Sequence, residues 1–308
     1  MAGGRVMLIK DAESYVALRR GMGFALRFIG PLVLDFARFA AEHGDRRVRT
    51  RTAIDWARRA RSPARREFRL RVVVGFARHM HAEDPRHQIP PYGLLGPTRH
   101  PRPTPFIFTP EQIRSLVQET HRLGPVPSLR RDTYATLIAL LAATGLRVSE
   151  ALALRVDDLT SDGLLVRNTK FRKSRLVPLH PTVDDGLRRY LALRTHPRGD
   201  RIFVHPGGRA LPYAIVHWTF AQLVRKVGIG AAAGQPRPRL HCLRHTFAVR
   251  ALEACKGDRL RIARHQLALA TYLGHAHIES TYWYLQSTPH LLRGIARRCE
   301  RLALGDGP

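Results

Sequence analysis

Apolar residues recur at threes and fours through much of the first 83 positions. Tyr15, Leu18, Met22, Ala25, Leu26 and Ile29 follow this spacing from Asp11 onward, the period of a helix that buries one face. A Gly30-Pro31 break separates them from LVLDFARFAAEH, and Asp45 to Thr50 reads as a polar turn. Thr52 is a candidate cap for AIDWARRA, and Ser62 followed by Pro63 caps ARREFRLRVVVGFARHM. The pattern predicts four short helices packed as a compact bundle.

The periodicity then lapses. Pro85 to Pro105 holds seven prolines and reads as an extended connector. The chain therefore divides into an N-terminal helical domain over 1–97, a linker over 98–108 and a second domain over 109–308. The second domain opens on TPEQIRSLV, with Thr109 as cap and Pro110 in the first turn. DTYATLIALLAATG is apolar enough to be a buried helix, and Gly145 is placed to end it. Leu164 to Val166 and Leu176 to Leu179 are short apolar runs flanking the basic stretch RNTKFRKSR, which predicts a hairpin with cations at its tip. Helical text returns at Asp184 to Arg194 and Tyr213 to Val227, with Arg201 to Val204 as one more strand. No internal repeat is visible. The fold class is mainly α with a small antiparallel β-sheet.

Charge changes the picture most. In 308 residues, 52 Lys and Arg face 24 Asp and Glu, a formal net charge of +28. Such a balance suits a protein that neutralises phosphates, so the partner is nucleic acid. Only five of these cations are Lys. A genomic preference for Arg codons explains Arg over Lys but not the excess of positive over negative charge. Arg46, Arg47, Arg49, Arg51, Arg58, Arg59, Arg65 and Arg66 crowd the middle of the helical domain, as for a face laid on a DNA backbone. The three Cys lack a paired spacing and read as reduced thiols. No secretory pattern opens the chain, and no apolar run reaches the roughly 18 residues of a membrane span, so a cytoplasmic, nucleoid-associated protein is expected.

Candidate chemistry gathers late in the chain. In LHCLRHTFAVR, His241 and Arg244 are three residues apart and share one helical face, a basic pair aimed at an anion. Arg147 follows a small-residue turn in TGLRVSE and precedes Glu150. In TYLGHAHIESTYWYLQ, His275 is followed nine residues later by Tyr284. Two Arg, two His and a Tyr are what phosphoryl transfer to a tyrosine requires, because guanidinium forks neutralise the phosphate and imidazoles handle protons. Tyr282 and Tyr272 compete with Tyr284. Tyr282 and Tyr284, two apart on a helix, point about 200° away from each other, so only one of them faces the phosphate. The 16 His include no HExxH and no Cys-paired pattern, so neither metal nor cofactor is expected.

These words together resemble the tyrosine recombinase (phage integrase) family, nearest in style to its Xer-like and mobile-element members. The resemblance implies a two-domain clamp on double-stranded DNA, its helical domain closing over one side of the duplex. It implies catalytic roles for Arg147, His241, Arg244 and His275, the last standing where some members carry Trp, and selects Tyr284 as nucleophile by its interval from His275. It implies a general-acid Lys between two strands, Lys170 with Lys173 as the nearby alternative, although Thr169-Lys170-Phe171 replaces the usual Gly-Lys-Gly. Glu150 matches the acidic residue that supports the site. The apolar stripe Leu291, Leu292, Ile295, Ala296, Cys299 and Leu302 implies a tail docked on a neighbouring subunit of a tetramer on two DNA sites, or of a complex with sister recombinases. The wording TYWYLQSTP points to integration, excision or transposition of a mobile element. An idle DNA-binding protein and a type IB topoisomerase are the competing readings.

Overall fold

Four helices satisfy most of the backbone in the first hundred residues: α1 (Gly3–Gly21), α2 (Ile29–Glu42), α3 (Thr50–Arg58) and α4 (Pro63–Glu83). The computed structural model describes residues 3–96, 104–124, 128–167, 174–194, 199–230, 237–255 and 259–274, which fall into two units, Met1–Arg102 and Pro103–Pro308. In the first unit α2 buries Val33, Phe36, Ala37 and Ala40, the stripe that its 3.6-residue period lines up. Trp56 of α3 lies under it at 1% exposure and donates its indole N–H to Asp35 at 2.9 Å.

Local chemistry moves two boundaries from where the pattern predicts them. The break between the first helices falls at Met22–Phe28, not at Gly30-Pro31. Pro31 is the third residue of α2, where its missing N–H is one of the four that have no helical partner anyway. Thr52 does not cap α3, which begins at Thr50; its hydroxyl donates instead to Asp45. Ser62 behaves as expected and accepts the amide of Arg65.

The proline-rich stretch is also less of a linker than its composition implies. Gln88 donates its amide to Val48, and the buried His87 accepts the Val48 amide through Nδ1 at 3.1 Å, tying this segment to the first unit. Phe106 and Phe108 belong to the core of the second unit. The Phe108 amide donates to the Thr246 hydroxyl and its carbonyl accepts from Arg250. Two aromatic side chains in a polar segment found an apolar core to enter, and burial outweighed the prolines.

The second unit is built on α5 (Pro110–Thr120) and α6 (Leu129–Thr144). A reciprocal Thr109–Gln112 capping box starts α5. Leu137, Ile138, Leu140 and Leu141 of α6 are all at or below 1% exposure, each worth about 1.5–3 kcal/mol on removal from water. The short α7 (Val148–Ala153) leads through a 3-10 turn to β1 (Leu159–Thr160), β2 (Gly163–Val166) and β3 (Arg175–Val177), an antiparallel sheet in that order. The predicted hairpin is β2–β3, with Leu164 opposite Val177 and Val166 opposite Arg175. β1 went unpredicted because two residues carry no alternation. Arg201 to Val204 is no strand: Arg201 and Val204 each form an isolated bridge, to Arg155 and Ala210. Then come α8 (Pro181–Ala192), α9 (Tyr213–Lys226), α10 (Leu240–Ala254) and α11 (Arg259–Leu273). Among the described residues no helix is long and apolar enough to cross a membrane.

Candidate active site

The site begins where α6 ends. Gly145 takes the left-handed conformation, φ +62°, that stops the helix, and a Cβ there would lie 2.5 Å from the Phe247 ring. The chain then enters α7 with Arg147 as its N-cap. Glu150, one turn later, accepts the Arg147 amide at 3.0 Å through one oxygen and the Arg147 Nη1 at 2.6 Å through the other. A second guanidinium reaches the same carboxylate from β3, Arg175 donating at 2.8 and 3.2 Å. Burial alone would raise the Glu150 carboxyl, but the hydrogen bonds and charge of Arg175, and then those of Arg147, outweigh it and hold the group at about 2.

Facing this pair is the C-terminal end of α11, whose last carbonyls lack helical partners and carry the negative end of the helix dipole. Three successive carbonyls each accept from a different arginine: Tyr272 from Arg175 Nε at 2.8 Å, Leu273 from Arg244 Nη2 at 2.8 Å, and Gly274 from Arg147 Nη2 at 3.0 Å. Arg244, on α10 and 2% exposed, also donates Nη1 to the Gly145 carbonyl at 2.8 Å. Three positive side chains thus converge with one carboxylate among them.

His241 lies one turn before Arg244 on α10, its ring edge-on to His245 at 4.6 Å. Crowding by surrounding protein, followed by the charges of Arg244, Arg147 and Arg239, pushes its imidazole down to about 4. The side chain is nonetheless exposed, so water moderates the burial contribution and the cations carry the direction. At neutral pH the ring is uncharged, able to accept or donate one proton.

Arg147, Glu150, His241 and Arg244 are therefore brought into one place. Lys170, Lys173, His275, Tyr282 and Tyr284 lie outside the described residues, as does the apolar tail beyond them. Tyr272 is described and is a packing residue: it stacks on Phe247 at 5.5 Å, and burial pushes its hydroxyl up to about 12. Of the eight arginines expected to face DNA, Arg46, Arg49, Arg51, Arg58, Arg59 and Arg65 are exposed. Arg47 pairs with Asp84 at 2.9 Å and Arg66 bonds the Ala60 carbonyl, so these two hold the first unit together. Arg175 is the participant that sequence reasoning missed. It was one cation among many in RNTKFRKSR, and nothing local marked its partner, 25 positions earlier.

Guanidinia gathered on a helical domain, each aimed by a protein carbonyl or carboxylate, make a site for an oxyanion such as a phosphodiester, since the same set would repel a metal cation. The model of the phage integrase family matches residues 107–290. A putative integrase/recombinase, y4rB of Sinorhizobium fredii, is 37% identical over 301 residues, covering 94% of this chain and 96% of that protein. Tyrosine recombinase XerD of Caulobacter vibrioides is 31% identical over 239 residues, covering 75% and 73%. Among solved structures, the integrase of transposon Tn1549 in complex with transposon right-end DNA superposes with a TM-score of 0.66 at 19% identity, over 97% of this chain and 99% of that one. The chain belongs to the phage integrase family and is a tyrosine-type site-specific DNA recombinase.

Proposed function

We propose that Arg147 and Arg244 grip the non-bridging oxygens of a scissile phosphate in double-stranded DNA, with His241 and His275 adding donors or taking the tyrosine proton. Tyr284 attacks phosphorus: the new bond joins the Tyr284 oxygen to phosphorus, the bond to the 5′-oxygen breaks, and Lys170, or Lys173 beside it, protonates that leaving oxygen. The product is a 3′-phosphotyrosine and a free 5′-hydroxyl. Reversal by another 5′-hydroxyl reseals the strand without ATP, because the phosphodiester energy is kept in the phosphotyrosine. The observation that carries this reading is the convergence of three guanidinia on the end of α11 around a single carboxylate, an excess of positive charge that a phosphate would neutralise.

Exchange between two duplexes needs four strand cuts, and each chain offers one nucleophile, so the working assembly is a tetramer on two DNA sites, alone or with sister recombinases. Glu150 supports the site from behind. The exposed arginines of the first unit lie on the DNA backbone, and the protein works in the cytoplasm at the nucleoid. The biological setting is integration, excision or transposition of a mobile element, supported by the likeness to y4rB and to the transposon integrase.

The test is covalent trapping. The protein is mixed with fragments of its source DNA and denatured, and protein-linked DNA is sequenced. Adducts that survive Tyr282→Phe and vanish with Tyr284→Phe establish the nucleophile and reveal the target site. Tight binding with no adduct, both alone and with the neighbouring genes' products added, would leave an idle DNA-binding protein.

A further inference from the structure

Arg175 has no part in the steps just described, yet it makes hydrogen bonds that join three elements. It stands on β3 opposite Val166, with its side chain 13% exposed. All three guanidinium nitrogens are engaged: Nη1 and Nη2 with the two Glu150 oxygens, and Nε with the Tyr272 carbonyl. Its Nη1 and Cζ lie 2.9 and 3.2 Å from where a Cβ on Gly274 would be, so the guanidinium packs directly on that glycine, whose φ of +66° also disfavours a side chain. Arg147 holds the other side of Glu150 and the Gly274 carbonyl. The two arginines are therefore coupled twice, through one carboxylate and through neighbouring carbonyls.

We propose that Arg175 is a positioning residue for strand cleavage, which clamps Glu150 to the end of α11 and so fixes the direction of Arg147 without itself touching DNA. The inference rests on the phosphate-gripping role assigned to Arg147. With Arg175 removed, Glu150 keeps one cationic partner on one side, and the Arg147 fork loses the surface that sets its plane. Lysine does not replace it, because one ammonium on a flexible stem cannot span a carboxylate and a carbonyl in fixed geometry. Loss of placement at this scale costs about a hundredfold in rate.

The experiment uses the full chain and a duplex recovered by covalent trapping, and compares Arg175→Lys and Arg175→Gln with the parent. Single-turnover adduct formation should fall about a hundredfold in Arg175→Lys, while DNA affinity and its salt dependence stay at parental values. A salt slope reduced by about 0.9 would mean that Arg175 binds a phosphate and would overturn the proposal. So would parental cleavage by Arg175→Lys.

A second readout separates positioning from bulk stability. Losing Arg175 removes the group that does most to keep Glu150 ionised, so its carboxyl rises from about 2 into the accessible acid range. The other charged groups lining the cavity beside Glu150, namely Arg155, Asp157, Asp158, Arg167 and Arg201, are unaltered by the substitution. The cleavage rate of Arg175→Gln relative to parent should therefore decline further as pH is lowered, since a carboxyl that has lost its main cationic partner takes up a proton more readily, and Glu150→Gln should abolish that extra decline. A relative rate independent of pH indicates a merely structural residue and refutes the positioning role. If the parent itself forms no adduct, the phosphotyrosine reading fails and takes this inference with it; parental cleavage with unimpaired variants sinks the inference alone.

Discussion

A single side chain, Arg244, shows how protein carbonyls fix the direction of a guanidinium in this site. It is nearly sealed from water, and two of its nitrogens are committed to the Gly145 and Leu273 carbonyls. In the proposed reaction those bonds orient the guanidinium in advance and spare reorganisation at the moment of cleavage. Arg244→Lys keeps the charge and removes the fork. Adduct formation should drop by roughly 10²–10³, the effect of losing one oriented donor, while band-shift affinity changes by less than about threefold, since one phosphate interaction among many is altered. Unimpaired cleavage would mean that geometry is not what Arg244 supplies. Residues like this were legible in the sequence because their signal is local: His241 and Arg244 share a helical turn, and Arg147 and Glu150 share another. Arg175 was not, because its meaning depends on Glu150 and Tyr272, 25 and 97 residues away.

At the scale of elements, helix ends carry the site more than helix bodies do. Gly145 and Gly274 each follow a helix in the left-handed conformation, and each offers its carbonyl to an arginine. Gly145→Ala would force a Cβ into the Phe247 ring at a backbone angle that alanine disfavours, so a loss of about 2–3 kcal/mol in chemical denaturation is expected. A loss under about 0.5 kcal/mol would show that the ring yields freely. Caps and glycines were read unevenly: Ser62, Thr109 and Gly145 do what their positions imply, whereas Thr52 and the Gly30-Pro31 break do not. α11 was overlooked, and its composition explains why. Leu260 and Leu267 are 60% and 59% exposed while Leu269, Ala270 and Leu273 are buried, so its apolar residues trace no single stripe. Tertiary packing, not periodicity, makes it a helix where it ends.

At the scale of the molecule, charge and architecture answer different questions. The excess of 28 positive charges announces a polyanionic partner but does not say which arginines meet it. Folding sorts them: Arg47 and Arg66 turn inward to bind their own unit, while Arg46, Arg49 and Arg51 stay exposed. Replacing those last three by Gln should lower the slope of log affinity against log salt by about 0.9 for each phosphate that is no longer neutralised, up to about 2.7 in all. Titration across a range of salt measures it directly, and an unchanged slope would take this face off the DNA. Prolines alone do not mark where a unit begins: Phe106 and Phe108 lie at the end of the proline-rich stretch yet belong to a core built from residues far along the chain.

The bonds at the end of α11 also set a schedule. Arg147 reaches Gly274 across 127 residues, and Arg244 reaches Gly145 across 99. Synthesis proceeds from the N-terminus at roughly 5–20 residues per second, so the basic first unit is complete many seconds before any chain can close this pocket. A polypeptide stopped before Tyr272, Leu273 and Gly274 lacks the three carbonyls that orient Arg175, Arg244 and Arg147, so this cluster of guanidinia cannot assemble until that part of the chain has been made.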